Sequence, residues 1–144
     1  MKEGLVPGVE ATFTVTVTEE MVPVFDGEVI HPVMSTVSMV YYMEKAGRYV
    51  LAPHLEEHEE GSGFAIDIKH VGPAVIGQEV TFRAVCVEVT EKRVVCKVMA
   101  DTARNRVGVG LFTQAIFNKD EMKRRFRQLQ AEIDRQSEDG RVGE

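Results

Sequence analysis

Two side chains suited to acid–base chemistry fall on faces that the surrounding pattern marks as apolar. The first is Glu44, within "STVSMVYYMEKAGRYV" at residues 35–50, a stretch that reads as a helix. With ~100° of rotation per residue and Val40 at zero, Met43, Gly47 and Leu51 lie within about 60° and Glu44 at about 40°, so a carboxylate sits on the packing stripe. A carboxylate taken out of water without a partner is costly, so the position needs either a partner or a task. The partner at hand is Arg48, four residues on and about 40° further round. The second side chain is His70, which closes "FAIDIKH"; in a strand, Phe64, Ile66, Ile68 and His70 share one face while Asp67 and Lys69 share the other. Alone, such a histidine is best read as one satisfied by a backbone carbonyl. Facing Glu44 across a helix–sheet contact, it becomes half of an acid/base or nucleophile pair.

Thr36 adds a hydroxyl to the same side. In a regular helix it stands ~12 Å along the axis from Glu44, too far to bond, so it belongs to the lead-in loop or acts across a dimer interface. Thr36 also competes with Ser35 for the role of helix N-cap.

The elements that must position these residues follow from hydrophobic period. "EATFTVTVT" alternates Ala11, Phe13, Val15 and Val17 with threonines, which is a half-buried strand. Pro23, Gly27 and Pro32 make "EEMVPVFDGEVIHPV" a loop that delivers the chain to the helix, and the helix stops near Pro53. "FAIDIKH", a strand from about Val80 to Val89, "VVCKVMA" and "VGVGLFTQAIF" follow, joined by short turns. The tail "DEMKRRFRQLQAEIDRQ" spaces Met122, Phe126, Leu129 and Ile133 as one stripe of an amphipathic helix, about 119–137, and "SEDGRVGE" reads as a frayed end.

A strand, a long helix, then four consecutive strands give an α+β chain with a five-stranded antiparallel sheet wrapped around one central helix, the hotdog architecture, plus a C-terminal helix. Residues 1–144 form a single domain with its core at about 8–118, because no composition break marks a second. One helix leaves sheet edges open, so pairing with a second copy completes burial.

Composition narrows the partners. A net charge of −6 with scattered Lys and Arg offers no stripe for nucleic acid. No apolar run approaches the ~20 residues of a membrane span, and "MKEGLVPGVE" has no signal-peptide core, so a cytoplasmic protein without membrane association is expected. Cys86 and Cys96 lack further ligands at zinc spacing; no metal is expected, and they read as small core residues.

The stretch "HPVMSTVSMVYYMEKAGRYVLAPHLEEHEEGSGFAIDIKH" resembles the fluoroacetyl-CoA thioesterase group of hotdog proteins, over about residues 8–118. In that family a threonine before the central helix, a glutamate eight residues later and a histidine ending the next strand are catalytic, matching Thr36, Glu44 and His70. The family's glycine beside the thioester matches Gly63, whose bare backbone suits close approach of a ligand, or simply a turn. The resemblance implies a homodimer, or a dimer of dimers, with sites at the subunit interface that hydrolyse a short acyl-CoA. Coenzyme A would enter as part of the substrate, with no separate cofactor. Glu44 would be nucleophile or general base, His70 would manage the proton on water and Thr36 would orient the carboxylate. The family closes its pocket with phenylalanines from the loop before the helix, and Asp26–Met34 contains none, so the resemblance points to the thioesterase class rather than to fluoroacetyl specificity.

Two other readings share the fold. A hotdog enoyl-CoA hydratase places an Asp and a His five residues apart ahead of a helix, as Asp26 and His31 stand here, but the Asn-Pro between them is missing and "DG" is ordinary turn chemistry. A binding module would hold an acyl-CoA or another small ligand without turning it over.

Overall fold

A computed structural model of the chain describes residues 1–142. In chain order it contains β1 (Glu10–Thr16), β2 (Val24–Phe25), β3 (Glu28–Val29), α1 (Thr36–Leu51), β4 (Glu59–His70), β5 (Glu79–Val89), β6 (Arg93–Asp101), β7 (Arg106–Asn118) and α2 (Lys119–Val142). The five long strands form one antiparallel sheet in the order β1-β5-β6-β7-β4, and α1 lies across one face of it. This is the expected hotdog arrangement.

The reason is visible in the alternation. Val80, Phe82, Ala84 and Cys86 on β5, Val94, Cys96 and Val98 on β6, and Phe112 on β7 turn inward and meet Met39, Met43, Ala46, Val50 and Leu51 of α1, all of them buried. Ser35 caps α1 by accepting from the N–H of Ser38 at 3.0 Å, and Pro53 ends it one turn of 3-10 helix later. Close contact between helix and sheet depends on Gly47: a Cβ there would fall 2.5 Å from the Phe112 ring. Buried Gln114 reinforces that contact by donating from Nε2 to the Gly47 carbonyl at 2.9 Å.

The structure changes several sequence expectations. The segment before α1 is not wholly a loop: β2 and β3 form a small hairpin whose turn puts Asp26 (φ 52°) and Gly27 (φ 80°) in the left-handed region. β4 begins at Glu59 rather than near Phe64, and a bulge between Gly63 and Ala65 breaks its alternation. Phe64 therefore does not share the inward face with His70; its ring lies 4.2 Å from the guanidinium carbon of Arg93. α2 extends past Ser137 and through Gly140 to Val142, while the final residues 143–144 of that predicted tail lie outside the described part.

Cys86 and Cys96 are direct cross-strand partners, buried and unpaired. Burial raises both thiol pKa values, and that of Cys96 is pushed up to about 12. The native protein should therefore leave both thiols unmodified by a thiol reagent at pH ~8. Mass spectrometry should detect two adducts only after unfolding; rapid labelling of the folded chain would contradict the burial.

Candidate active site

Main-chain bonds from the two residues before α1 fix the lead-in. The N–H of Met34 donates to the Ala74 carbonyl at 2.8 Å and that of Ser35 to the Met21 carbonyl at 2.7 Å, which sets the helix start beside the end of β4. There Thr36 Oγ1 and His70 Nδ1 are 2.8 Å apart. The bond holds the imidazole in one orientation and leaves Nε2 as its free nitrogen. Thr36 is the first residue of α1, so it does not lie in the lead-in loop, and the N-cap role falls to Ser35.

Glu44 is two turns further along. The buried residues of α1 centre on the direction of Met43, which puts Glu44 about 100° from the middle of that face. It is thus exposed at the flank of the helix, not on the packing stripe. It does not pair with Arg48 either, because Arg48 Nη1 bonds to Glu60 Oε1 of β4. That bond holds the Glu60 carboxyl below the usual carboxylate range. What Glu44 does meet is the bulge of β4: a Cβ on Gly63 would lie 3.9 Å from Glu44 Oε2 and 3.6 Å from the Phe112 ring. Glu44, Gly63, Phe64, Ile66 and Phe112 line a shallow hollow of about 380 Å³.

One chain therefore groups these four residues into two pairs, Thr36 with His70 and Glu44 with Gly63. The ~12 Å between Thr36 and Glu44 along α1 keeps them apart. Exposed Val37 lines the same cleft as Thr36 and His70, exposed Tyr41 lines a hollow with Glu44 and Gly63, and β4, which carries His70 and Gly63, is a free edge of the sheet.

A cleft of about 630 Å³ adjoins Thr36 and His70, with Val22, Phe25, Ile30 and His31 in its wall. Phe25 stands one residue before Asp26–Met34 and reaches the cleft because the turn at Asp26-Gly27 closes the β2–β3 hairpin beside the helix start. Asp26 itself is at the hairpin turn, so that of the two residues spaced as in a hydratase only His31 lines this cleft. Among the described residues, no group of three His, Cys, Asp or Glu is placed to hold a metal, and no helix is long and apolar enough to cross a membrane.

A five-stranded antiparallel sheet on one central helix, with a Thr–His pair and an exposed carboxylate beside a backbone glycine, defines a hotdog protein of thioesterase type. Residues 17–120 match the family model for FlK, the fluoroacetyl-CoA-specific thioesterase, and the chain belongs to that family of acyl-CoA thioesterases. The fold is similar to that of a Thermus thermophilus hypothetical protein of the thioesterase superfamily, with 34% identity over 92% of this chain and 98% of that one and a TM-score of 0.87. It is similar to the fluoroacetyl-CoA thioesterase FlK, at 26% identity over 88% and 98% of the two chains with a TM-score of 0.79. A hot-dog-like protein from Thermanaerovibrio acidaminovorans shares the fold at 23% identity, 85% and 90% coverage and a TM-score of 0.79. Comparison with curated proteins gives no match.

Proposed function

We propose that this protein hydrolyses a short-chain acyl-CoA thioester to the free acid and CoA. Two sites per homodimer would each be built from Thr36 and His70 of one subunit and Glu44 and Gly63 of the other. The carrying observation is the division of the site: Thr36 and His70 are bonded, while Glu44 stands ~12 Å away, unpaired among the described residues, at the same apolar, open edge. A two-fold axis near Val40 that sets the two α1 helices antiparallel brings Glu44 of one copy to Thr36 of the other, since both are four residues from the axis. The same operation sets the free edges of the two β4 strands together and covers Val37, Tyr41 and Ile66.

The chemistry suits a thioester. The backbone at Gly63 admits the carbonyl closely enough for an N–H to stabilise the developing oxyanion. As base, Glu44 takes a proton from the water that adds to the thioester carbonyl, and collapse of the adduct breaks the C–S bond while His70, steadied by Thr36, protonates the departing CoA sulfur and regains its proton from Glu44; as nucleophile, Glu44 displaces CoA to form a mixed anhydride that water, deprotonated by His70, then hydrolyses. Carboxylate and CoA thiol are the products. Coenzyme A and an FlK variant have been crystallised together with fluoroacetate, which supports an acyl-CoA as the substrate class here. The apolar wall of the cleft beside His70 favours a small acyl group over a charged one. The reaction needs no cofactor beyond the CoA carried by the substrate, and the two unpaired thiols suit the reducing cytoplasm.

Purified protein should release CoA from some member of a short-chain acyl-CoA panel read with a thiol reagent, and leave crotonyl-CoA absorbance unchanged. Silence across the panel would leave a binding module as the better reading; loss of the enoyl chromophore would favour a hydratase. Light scattering at micromolar concentration should give an even multiple of the 16.1 kDa chain mass, and a monomer would remove the basis for a shared site.

A further inference from the structure

The thioesterase reading makes no use of α2. From Lys123 to Gly140 every residue of this helix is exposed, including Phe126, Leu129 and Ile133, with Met122 half-buried at its base. These four residues are spaced four, three and four apart, the seam of a short coiled coil. An apolar seam of this kind has little support in its own protomer, where the first turns of α2 pack mainly on the end of β7 and the rest projects beyond the sheet.

The charges on α2 indicate what covers the seam. Residues 119–128 carry five basic and two acidic side chains, whereas 129–139 carry one basic and four acidic. Beyond the first turn this polarity opposes the helix dipole, which favours acidic residues near the start and basic ones near the end. Lys123 and Arg127 also repel each other at i to i+4, as do Asp134 and Glu138. The pattern costs the isolated helix stability and is complementary to one thing on hand: its own reverse.

We infer that α2 pairs antiparallel with α2 of a second copy, about a two-fold axis midway between Phe126 and Leu129. Phe126 then stacks on Leu129 of the partner subunit, and Met122 on Ile133 of the partner subunit. Taking these four as the a and d positions, Arg125 and Glu132 both fall at g, and antiparallel pairing sets g against g. Each basic half thus lies along an acidic half. The pairing uses α2 alone and joins whatever assembly the β4 edge forms to another like it, so it does not depend on the catalytic reading.

Charge exchange tests this directly. Arg125→Glu and Glu132→Arg, each alone, put like charges at the seam and should halve the molar mass measured by light scattering at micromolar concentration. The double variant Arg125→Glu with Glu132→Arg restores the complement and should recover the parental mass. Phe126→Ser with Leu129→Ser should halve the mass without recovery, while the melting of the sheet and the hydrolysis rate per subunit stay at parental values. Unchanged mass in both single variants, or a double variant that remains small, overturns the pairing. So does a parent protein that co-sediments with anionic phosphatidylserine vesicles and has the same mass as the Phe126→Ser, Leu129→Ser variant in their absence.

Discussion

Glu44→Gln is expected to lower acyl-CoA turnover ~100-fold or more while leaving folding and assembly intact. The amide keeps the shape of the side chain and removes its ability to act as base or nucleophile. Because Glu44 is exposed at the flank of α1 and Arg48 is engaged by Glu60, the change breaks no ion pair, and the cost in stability should stay within about 0.5 kcal/mol. Arg48→Ala is the control. It removes a part-exposed pair worth about 0.2–1 kcal/mol and leaves the Glu44 carboxylate in place, so turnover should fall by much less. The pair has a pH signature of known sign. Its bond to Arg48 lowers the pKa of Glu60, so the stabilisation is complete above the ordinary carboxylate value of about 4.3 and fades as pH falls through the lower folded value. The difference in melting temperature between parent and Arg48→Ala should therefore shrink in acid. Equal and mild effects of Glu44→Gln and Arg48→Ala on both melting and hydrolysis would defeat the catalytic assignment.

Mixing two inactive variants should restore activity. Glu44→Gln and His70→Asn each destroy both sites of a homodimer. In a mixed dimer, one site carries both substitutions, and the other combines Glu44 of the second variant with His70 of the first. With random exchange half the dimers are mixed and each has one intact site, so about one quarter of the parental rate is expected after the variants are unfolded and refolded together. Glu44 and His70 acting within a single protomer would give no recovery at all. The experiment thus decides the shared architecture separately from the identity of the catalytic groups. Thr36→Ala, which releases His70 Nδ1, should act in the same complementation group as His70→Asn.

Hydrophobic period was enough to order the strands, to recognise both helices and to identify a single helix packed on an antiparallel sheet. Those features follow from local rules: alternation along a strand, a stripe on a helix, and Pro or Gly where hydrogen bonding must stop. Thr36, Glu44 and His70 could likewise be picked out as residue types at particular spacings, and Gly63 through the family resemblance. The face of α1 on which Glu44 lies was not legible in this way. Taking Val40 as the centre of the buried face displaced that centre by roughly 60°, because the direction α1 presents to the sheet is set by Gly47 seating on Phe112 and by Gln114 bonding the Gly47 carbonyl. Alternation failed at Phe64 for a similar reason: a bulge adds one residue on β4 relative to β7, and no local pattern announces which residue is extra.

The ion pairing of Arg48 was also beyond local reasoning. The sequence offered Glu44 at i to i−4, and the fold supplied Glu60 from a neighbouring strand, a contact twelve residues away along the chain. What the sequence by itself determined about this protein is therefore its architecture and the inventory of reactive groups, since both depend on short-range periodicity and residue chemistry. Only the tertiary structure decided how those groups divide: Thr36 bonded to His70 at the start of α1, Glu44 beside Gly63 at its middle, with Arg48 drawn off by Glu60. That division depends on how far α1 slides and turns over the sheet, and close packing between distant segments sets that slide.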